Sequence, residues 1–401
     1  MSHAAGSPAF QRINRAMLYG GFSAFALLYC LQPLMPVLGH AFALTPAQSS
    51  WALSVSTLCM AIALLLSGPV AERIGARRLM SGALAAAAVM TLLCAYAQTF
   101  TQLLVLRALL GFALGGMPAV AMAYLAREID AASLGLSMGL YIGGTAVGGM
   151  AGRVAASLLS DVFSWRVAMA VTGAAGMAAA YAFWRNLPPP SAEPQRQGGG
   201  LALLRGARSH WQDGGMRWLF LLGFLLMGAF VSLYNYIGFR LLAAPFAIGQ
   251  SAVGLLSLLY LIGMVSAVWA GRLADRIGRR HVLWMVMAAM LAGLLLTLSD
   301  ALPVIVAGMA LFTFSFFGAH SVASSWVGRR ARGANALASA LYLFFYYLGS
   351  SVIGPLCGLL WSAAGWSGVV ALLALVLGLA LAVALHLRGL TPLAPAQLLP
   401  A

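Results

Sequence analysis

Twelve times along this 401-residue chain, a run of apolar residues near twenty in length is bounded by a short polar segment. The runs fall near 16–38, 49–69, 79–98, 101–126, 134–160, 166–186, 217–240, 251–271, 281–299, 302–327, 334–361 and 366–387. About twenty apolar residues is what an α-helix needs to cross the hydrocarbon core of a bilayer. Spanning segments must also satisfy their own backbone, which leaves helices or closed barrels. The repetition predicts an all-α polytopic membrane protein with twelve transmembrane helices. Charged residues are 8% of the chain, against about 25% in soluble domains. No soluble fold of this size could cover its surface with so few. The residues left over make loops and tails, with no room for a further soluble domain.

All 23 basic residues are Arg, and the formal net charge is +15. In a soluble protein that balance would point to nucleic acid. Here the charge lies in short loops between apolar runs, so topology explains it and no nucleic-acid partner is expected. With the N-terminus inside, the cytoplasmic segments hold 19 arginines and the outer segments hold two, Arg166 and Arg240. Arg107 and Arg153 fall within spans. This excess puts both termini in the cytoplasm, and one span more or fewer would break the alternation. Residues 1–14 are polar and precede a full-length apolar run with no clear cleavage site, so that run reads as a span and not a cleavable signal. Cys30, Cys59, Cys94 and Cys357 all lie inside apolar runs. Their spacing predicts neither a disulfide nor a metal site, and no cofactor is expected.

The longest polar stretch, 187–216, opens on Pro188-Pro189-Pro190 and passes through Gly198-Gly199-Gly200. It reads as a cytoplasmic linker between an N-terminal six-helix bundle (1–186) and a C-terminal one (217–401). Leu201, Leu204 and Trp211 set against Arg205 and Arg208 predict a short amphipathic helix on the membrane surface.

Two loops repeat each other. Gly68-Pro-Val-Ala-Glu72-Arg73-Ile-Gly75-Ala-Arg-Arg78 follows the second run, and Gly271-Arg-Leu-Ala-Asp275-Arg276-Ile-Gly278-Arg-Arg280 follows the eighth. The offset is 203 residues, which makes the two bundles pseudo-symmetric copies in parallel orientation. Gly68 and Gly271 allow close helix approach, and Gly75 and Gly278 allow a tight turn. Glu72 and Asp275 are acids at a helix end, placed to meet the positive N-terminus of a neighbouring helix. Topology alone would need the arginines but neither the acids nor the glycines.

The paired pattern G-x-x-x-[DE]-R-x-G-x-R-R resembles the signature loop of the major facilitator superfamily, and the resemblance covers the whole chain. It implies that these loops latch the two halves on the cytoplasmic side, stabilising the outward-open state. Leu106-Arg107-Ala-Leu-Leu-Gly111 is similar to the embedded arginine motif of the drug/proton antiporter branch. Gly144-Thr145-Ala-Val-Gly148-Gly149 is similar to that branch's antiporter motif, with Thr145 where Pro is expected. Leu31-Gln32-Pro33, Tyr234-Asn235-Tyr236, Ala319-His320-Ser321 and Gly148-Gly149-Met-Ala-Gly-Arg153 resemble the YnfM-like branch of bacterial inner-membrane transporters. The resemblance implies a multi-pass protein of the bacterial inner membrane. It further implies that spans 1, 4, 7 and 10 line a central cavity.

Polar residues within those four spans are candidates for function. Span 1 offers Tyr29 and Gln32 on one face, followed by Pro33 and Pro36, which should bend it. Span 4 offers Arg107 and a kink at Pro118. Span 7 offers Tyr234, Asn235 and Tyr236. Span 10 offers His320 and Ser324, with Phe316 one turn earlier. These are the expected substrate-binding residues, and packing between helices is the alternative at each. Arg107 and Arg153 are costly in a membrane unless they face a wet cavity or bond carbonyls. Arg107 is further expected to share in proton coupling, by its match to the antiporter motif, and anchoring of helices is the competing role.

The eight acids are Glu72, Glu128, Asp130, Asp161, Glu193, Asp213, Asp275 and Asp300. Each falls in a loop or at a span end. Fixed positive charge with no embedded acid favours neutral or anionic small organic cargo over cations. His320 is then the one embedded side chain that titrates near neutrality when unperturbed, and so the expected proton carrier. The chain has no Lys, so it lacks a phosphate-cradling loop of the Walker type, and ATP hydrolysis is not its motor. The expected activity is secondary transport by a single chain, as proton-coupled efflux, with proton-coupled import or anion exchange of a metabolite as the alternative. A membrane-embedded enzyme or receptor would need clustered ligands or a nucleophile with its base, and the histidines are scattered.

Overall fold

The computed structural model describes residues 3–4, 6–190, 200–331 and 335–390. Glu193, Arg196, Arg332 and the expected Gly198-Gly199 turn lie outside the described residues, as do the side chains of Leu201 and Leu204. Among the described residues, eleven helical stretches are long and apolar enough to cross a membrane. In chain order, spans 1 to 6 are Pro8–Ala41, Pro46–Ile74, Ala76–Cys94, Phe100–Glu128, Ala132–Val162 and Trp165–Asn186. Spans 7 to 10 are Met216–Leu242, Gln250–Ile277, Arg279–Leu296 and Leu302–Arg330. The last stretch, Leu337–Gly389, has 53 residues. At 1.5 Å per residue it would reach about 80 Å, far beyond a bilayer. It breaks at Ala364 and at Gly365, where φ is +57°, and so supplies spans 11 and 12. Below, the outer and cytoplasmic sides are those that the arginine count assigns.

Polar caps set where several spans begin. Thr45 and Thr99 each accept from the amide three residues on, while Gln48 and Gln102 reach back to them, which satisfies two helix-end donors at once. Span 1 starts at Pro8, eight residues before its apolar run, because Ser7 caps it and Pro8 occupies the first helical position. Its expected bend is a 3₁₀ turn at Gln32–Leu34, around Pro33. Span 4 breaks between Leu114 and Pro118. The linker carries a helix, Gly200–Gln212, whose Trp211 stacks on Phe345 of span 11 at 5.6 Å.

Within each half the packing repeats. A Cβ at Gly144, Gly148 or Gly152 would run into the backbone of Leu18, Phe22 or Ala26, respectively. One turn-by-turn glycine stripe of span 5 thus lies against span 1, the close approach that small residues give membrane helices. In the other half, Gly349 of span 11 meets the carbonyl of Phe224 of span 7. Thr145 bonds the carbonyl of Ile142 at 2.7 Å, and span 5 runs unbroken through the place where proline was expected.

The repeated loops match in backbone. Gly75 has φ +88° and ψ 139°, and Gly278 has φ +90° and ψ 140°. Both end one helix and start the next in a conformation that a side chain would strain. The expectation for Gly68 and Gly271 needs correction. Nothing comes within 4 Å of a Cβ built at Gly68, and only the Ser321 hydroxyl, at 3.9 Å, approaches one at Gly271. No neighbouring helix therefore packs closely on either glycine, although Ser321 of span 10 bonds the Ala267 carbonyl of span 8 at 3.1 Å. Asp275 pairs within its own half, with Arg279 at 3.0 Å and Arg329 at 3.7 Å. Arg73, Arg78, Arg276 and Arg280 are exposed.

Candidate functional site

Hydrogen bonds that join the two halves gather in the outer part of the membrane. Gln32 of span 1 donates to Asn235 Oδ1 of span 7 at 2.7 Å and to the carbonyl of Val231 at 3.1 Å. Gln250 of span 8 donates to the carbonyl of Pro33 at 2.7 Å and to the Ser157 hydroxyl at 3.3 Å. Asp161, at the outer end of span 5, accepts from the Ser251 amide at 3.1 Å and the Ser251 hydroxyl at 2.5 Å. It caps the first turn of span 8 from across the interface, where a helix N-terminus favours negative charge. Thr57 of span 2 and Ser351 of span 11 share a bond of 2.7 Å. Together these contacts shut the outer side.

Arg153 lies just beneath this closure. It is 3% exposed. Its Nε donates to Gln32 Oε1 at 2.6 Å and its Nη1 to the Gly149 carbonyl at 2.7 Å. The rings of Tyr29 and Tyr260 cover the guanidinium at 4.2 and 4.8 Å. Stacking of this kind is a strength of arginine, and it serves well where water is scarce. The sequence raised Arg153 as a candidate anchor and as fixed positive charge favouring anionic cargo, without a place in the site. Its four-residue spacing from Gly149 was the available signal that it reaches the span 1 face.

Below Arg153 an aromatic column descends through the C-terminal half. Tyr234 shares a 2.8 Å bond with Thr313 and lies edge-on to Tyr260 at 5.4 Å. Phe230 stacks on Phe316 at 3.7 Å, and Phe316 on His320 at 6.2 Å. His320 Nδ1 is 3.0 Å from the Tyr342 hydroxyl, and its ring is 4.6 Å from that of Tyr346. Tyr346 and Tyr347 of span 11 are electrostatic neighbours of Tyr29, and Tyr141 of span 5 is a neighbour of Tyr347. Spans 5, 8 and 11 therefore contribute as much as spans 1, 7 and 10. Tyr141, Tyr260 and Tyr342 went unnoticed in the sequence because aromatics in apolar runs look like any other core.

Tyr29, Gln32, Tyr234, Asn235 and His320 are thus brought to the centre, and three other expected residues are not. Arg107 is 0% exposed. Its Nε, Nη1 and Nη2 donate to the carbonyls of Ala52 at 3.2 Å, Leu27 at 3.1 Å and Leu28 at 2.5 Å. The guanidinium stitches spans 1, 2 and 4 together and is withdrawn from cargo and proton, because the turn before Pro33 leaves carbonyls for it to satisfy. Tyr236 donates to the Gly354 carbonyl at 2.8 Å, which ties span 7 to span 11. Ser324 bonds the carbonyl of Ser321 in its own helix at 3.2 Å. A crevice of about 330 Å³ between spans 2, 3 and 4 has Ser67 and Arg78 as its only polar lining side chains. It lacks the converging polar groups of a solute site.

The family model described as the Major Facilitator Superfamily matches residues 17–244 and again 239–401. The inner membrane transport protein YnfM of Escherichia coli (strain K12) is 47% identical, over 96% of this chain and 92% of that protein. The MFS-type transporter YybF of Bacillus subtilis (strain 168) is 43% identical, over 94% and 93%. A crystal structure of a bacterial homologue of the human lysosomal transporter Spinster, inward-facing and unoccupied, superposes with a TM-score of 0.78 at 15% identity, covering 96% of this chain and 98% of that one. Fold, paired loops and relatives agree that this chain is a multi-pass inner-membrane transporter belonging to the major facilitator superfamily.

Proposed function

We propose that the protein is a proton-driven exporter of small neutral or anionic organic molecules, working as a single chain with both termini in the cytoplasm. The observation that carries this reading is the central cluster of Arg153, Tyr29, Gln32, Tyr234, Asn235 and His320. It is drawn from both halves, and it holds an imidazole, the side chain that titrates near neutrality when unperturbed. Transport proceeds by rocking the halves about this cluster. Opening outward breaks the Gln32–Asn235, Asp161–Ser251 and Thr57–Ser351 contacts. At the cytoplasmic side Glu72 and Asp275 then take up the latch, with Gly75 and Gly278 holding each loop. Gly144, Gly148 and Gly149 keep span 5 on span 1 so that each half moves as a body. His320 carries the proton, exchanging its bond to Tyr342 for one to water or cargo.

Arg153 favours a second reading, exchange of one anion for another, because a fixed guanidinium with no embedded acid retains an anion at every stage of the cycle. Flux of a metabolite and drug panel in proteoliposomes, with and without an imposed pH gradient, separates the two. Export predicts accumulation that follows the gradient. Exchange predicts flux that needs a counter-substrate and ignores the gradient.

A further inference from the structure

Two phenols that cover Arg153, and a third further along span 5, are buried and unpartnered. Tyr29 is 3% exposed, Tyr260 6% and Tyr141 2%, and the hydroxyl of each lacks a hydrogen-bond partner. Arg153 spends Nε on Gln32 and one N–H of Nη1 on Gly149. Among the described residues its Nη2 has no partner. Tyr29 and Tyr260 are both electrostatic neighbours of Arg153, and Tyr347 links Tyr29 to Tyr141. Three spans therefore hold buried donors that the protein leaves unused beneath the outer closure. Buried donors without acceptors are costly, and an arginine with two free N–H groups side by side matches a carboxylate.

The flank of this region is flat. Phe316 lies within 8° of parallel to Phe230 on one side and to His320 on the other, and Tyr260 meets Phe230 edge-on at 5.5 Å. Near-parallel rings accept another ring by offset stacking.

We infer that this is the cargo site and that it takes a planar aromatic carboxylate. The carboxylate sits on Nη1 and Nη2 of Arg153 and accepts from the phenols of Tyr29 and Tyr260, with Tyr141 closing the cytoplasmic side. The ring lies toward Phe230 and Phe316. This assignment rests on the transport reading and narrows it to a substrate class. The same aromatic column without Arg153 would suit an organic cation. The guanidinium reverses that preference, with no acid among the described residues of the cluster to neutralise it.

The test is equilibrium binding to purified full-length protein in detergent, using 2-naphthoate, 2-naphthamide and the 2-naphthylmethylammonium ion as matched probes. It reads affinity alone, so a protein that binds selectively yet fails to move cargo in vesicles would count against the transport reading and not against this one. Naphthoate should bind at least tenfold more tightly than the amide, and the ammonium probe least. Tyr29→Phe and Tyr260→Phe, which keep the rings, should each weaken naphthoate several-fold and leave the amide unchanged. Arg153→Gln should abolish the ratio between naphthoate and amide. Arg153→Lys, which keeps the charge but not the fork, should lower that ratio. A merely structural role for these residues would weaken both probes equally. Equal affinity for the three probes, including no affinity for any, overturns the assignment, as does tighter binding of the ammonium or an unchanged ratio in Arg153→Gln.

Discussion

Gln32 and Asn235 hydrogen-bond each other at 2.7 Å across the two halves, and they are 203 residues apart. Glu72 and Asp275 of the repeated loops are separated by the same 203 residues. Gln32 and Asn235 are therefore counterparts in the two halves, meeting on the axis that relates them. A contact on that axis lies where rocking begins.

The first prediction concerns this pair. Gln32→Ala and Asn235→Ala should each shift the protein toward outward opening, and the double substitution should add little to either. Coupling of about 0.5–1.5 kcal/mol is the size of a net neutral hydrogen bond. Spin-label distances between the outer ends of spans 1 and 7 should lengthen by similar amounts in all three variants. Additive lengthening would show that the two side chains act separately.

Arg107 makes the second. Lysine keeps the charge but cannot reach the carbonyls of Leu27, Leu28 and Ala52 together. Arg107→Lys should lose roughly 3 kcal/mol of stability, the scale of a charged hydrogen bond lost with its acceptors stranded. A thermal melt of purified protein reads this directly. Binding per folded molecule should survive, since the guanidinium touches no part of the central cluster.

Glycine packing gives a third. Gly148→Ala forces a methyl into the carbonyl of Phe22, and overpacking of this kind costs about 1–3 kcal/mol. Gly139→Ala, five residues before the stripe's start with nothing within 4 Å of its Cβ, should be neutral or slightly stabilising. The paired melts should differ in that direction. Equal melting would mean that spans 1 and 5 are less tightly joined than the stripe implies.

The fourth concerns pH at the linker. Asp213 accepts from the amides of Gly215 and Met216 and is paired with the guanidinium of Arg330. Partial burial works against its charge, but the bonds from Arg330 and the two amides outweigh this and hold the carboxyl below its ordinary value. A depressed acid stabilises fully above its unfolded value, and that stabilisation fades as pH falls through the lower folded value. Protection of the amides of residues 205–216, with the intrinsic pH dependence of exchange divided out, should be unchanged through neutral pH and fall only in strong acid. Asp213→Asn should lower that protection at neutral pH.

The spans, the two halves and the repeated loops were legible because each rests on a short-range rule: length of apolar run, arginine count, identical motif. Gln32, Asn235 and His320 were legible because a polar group in a span is rare. Arg107 was left between coupling and anchoring for an equally physical reason. A guanidinium satisfied by carbonyls and one offered to cargo look the same in one dimension, and the choice depends on a turn near Pro33 that frees those carbonyls. Tyr141, Tyr260 and Tyr342 were invisible, since only packing shows which aromatic faces the axis. The outer contact of Asp161 with Ser251 joins residues 90 apart, and nothing local announces it.

The central claim is that proton movement through His320 drives accumulation while the rest of the site only binds and rocks. It is tested most directly by comparing wild-type protein and His320→Ala in proteoliposomes. One assay imposes a pH gradient and follows accumulation of labelled substrate, and the other preloads unlabelled substrate and follows exchange with no gradient. The account predicts that His320→Ala retains exchange and loses gradient-driven accumulation. Full accumulation by the variant would contradict it.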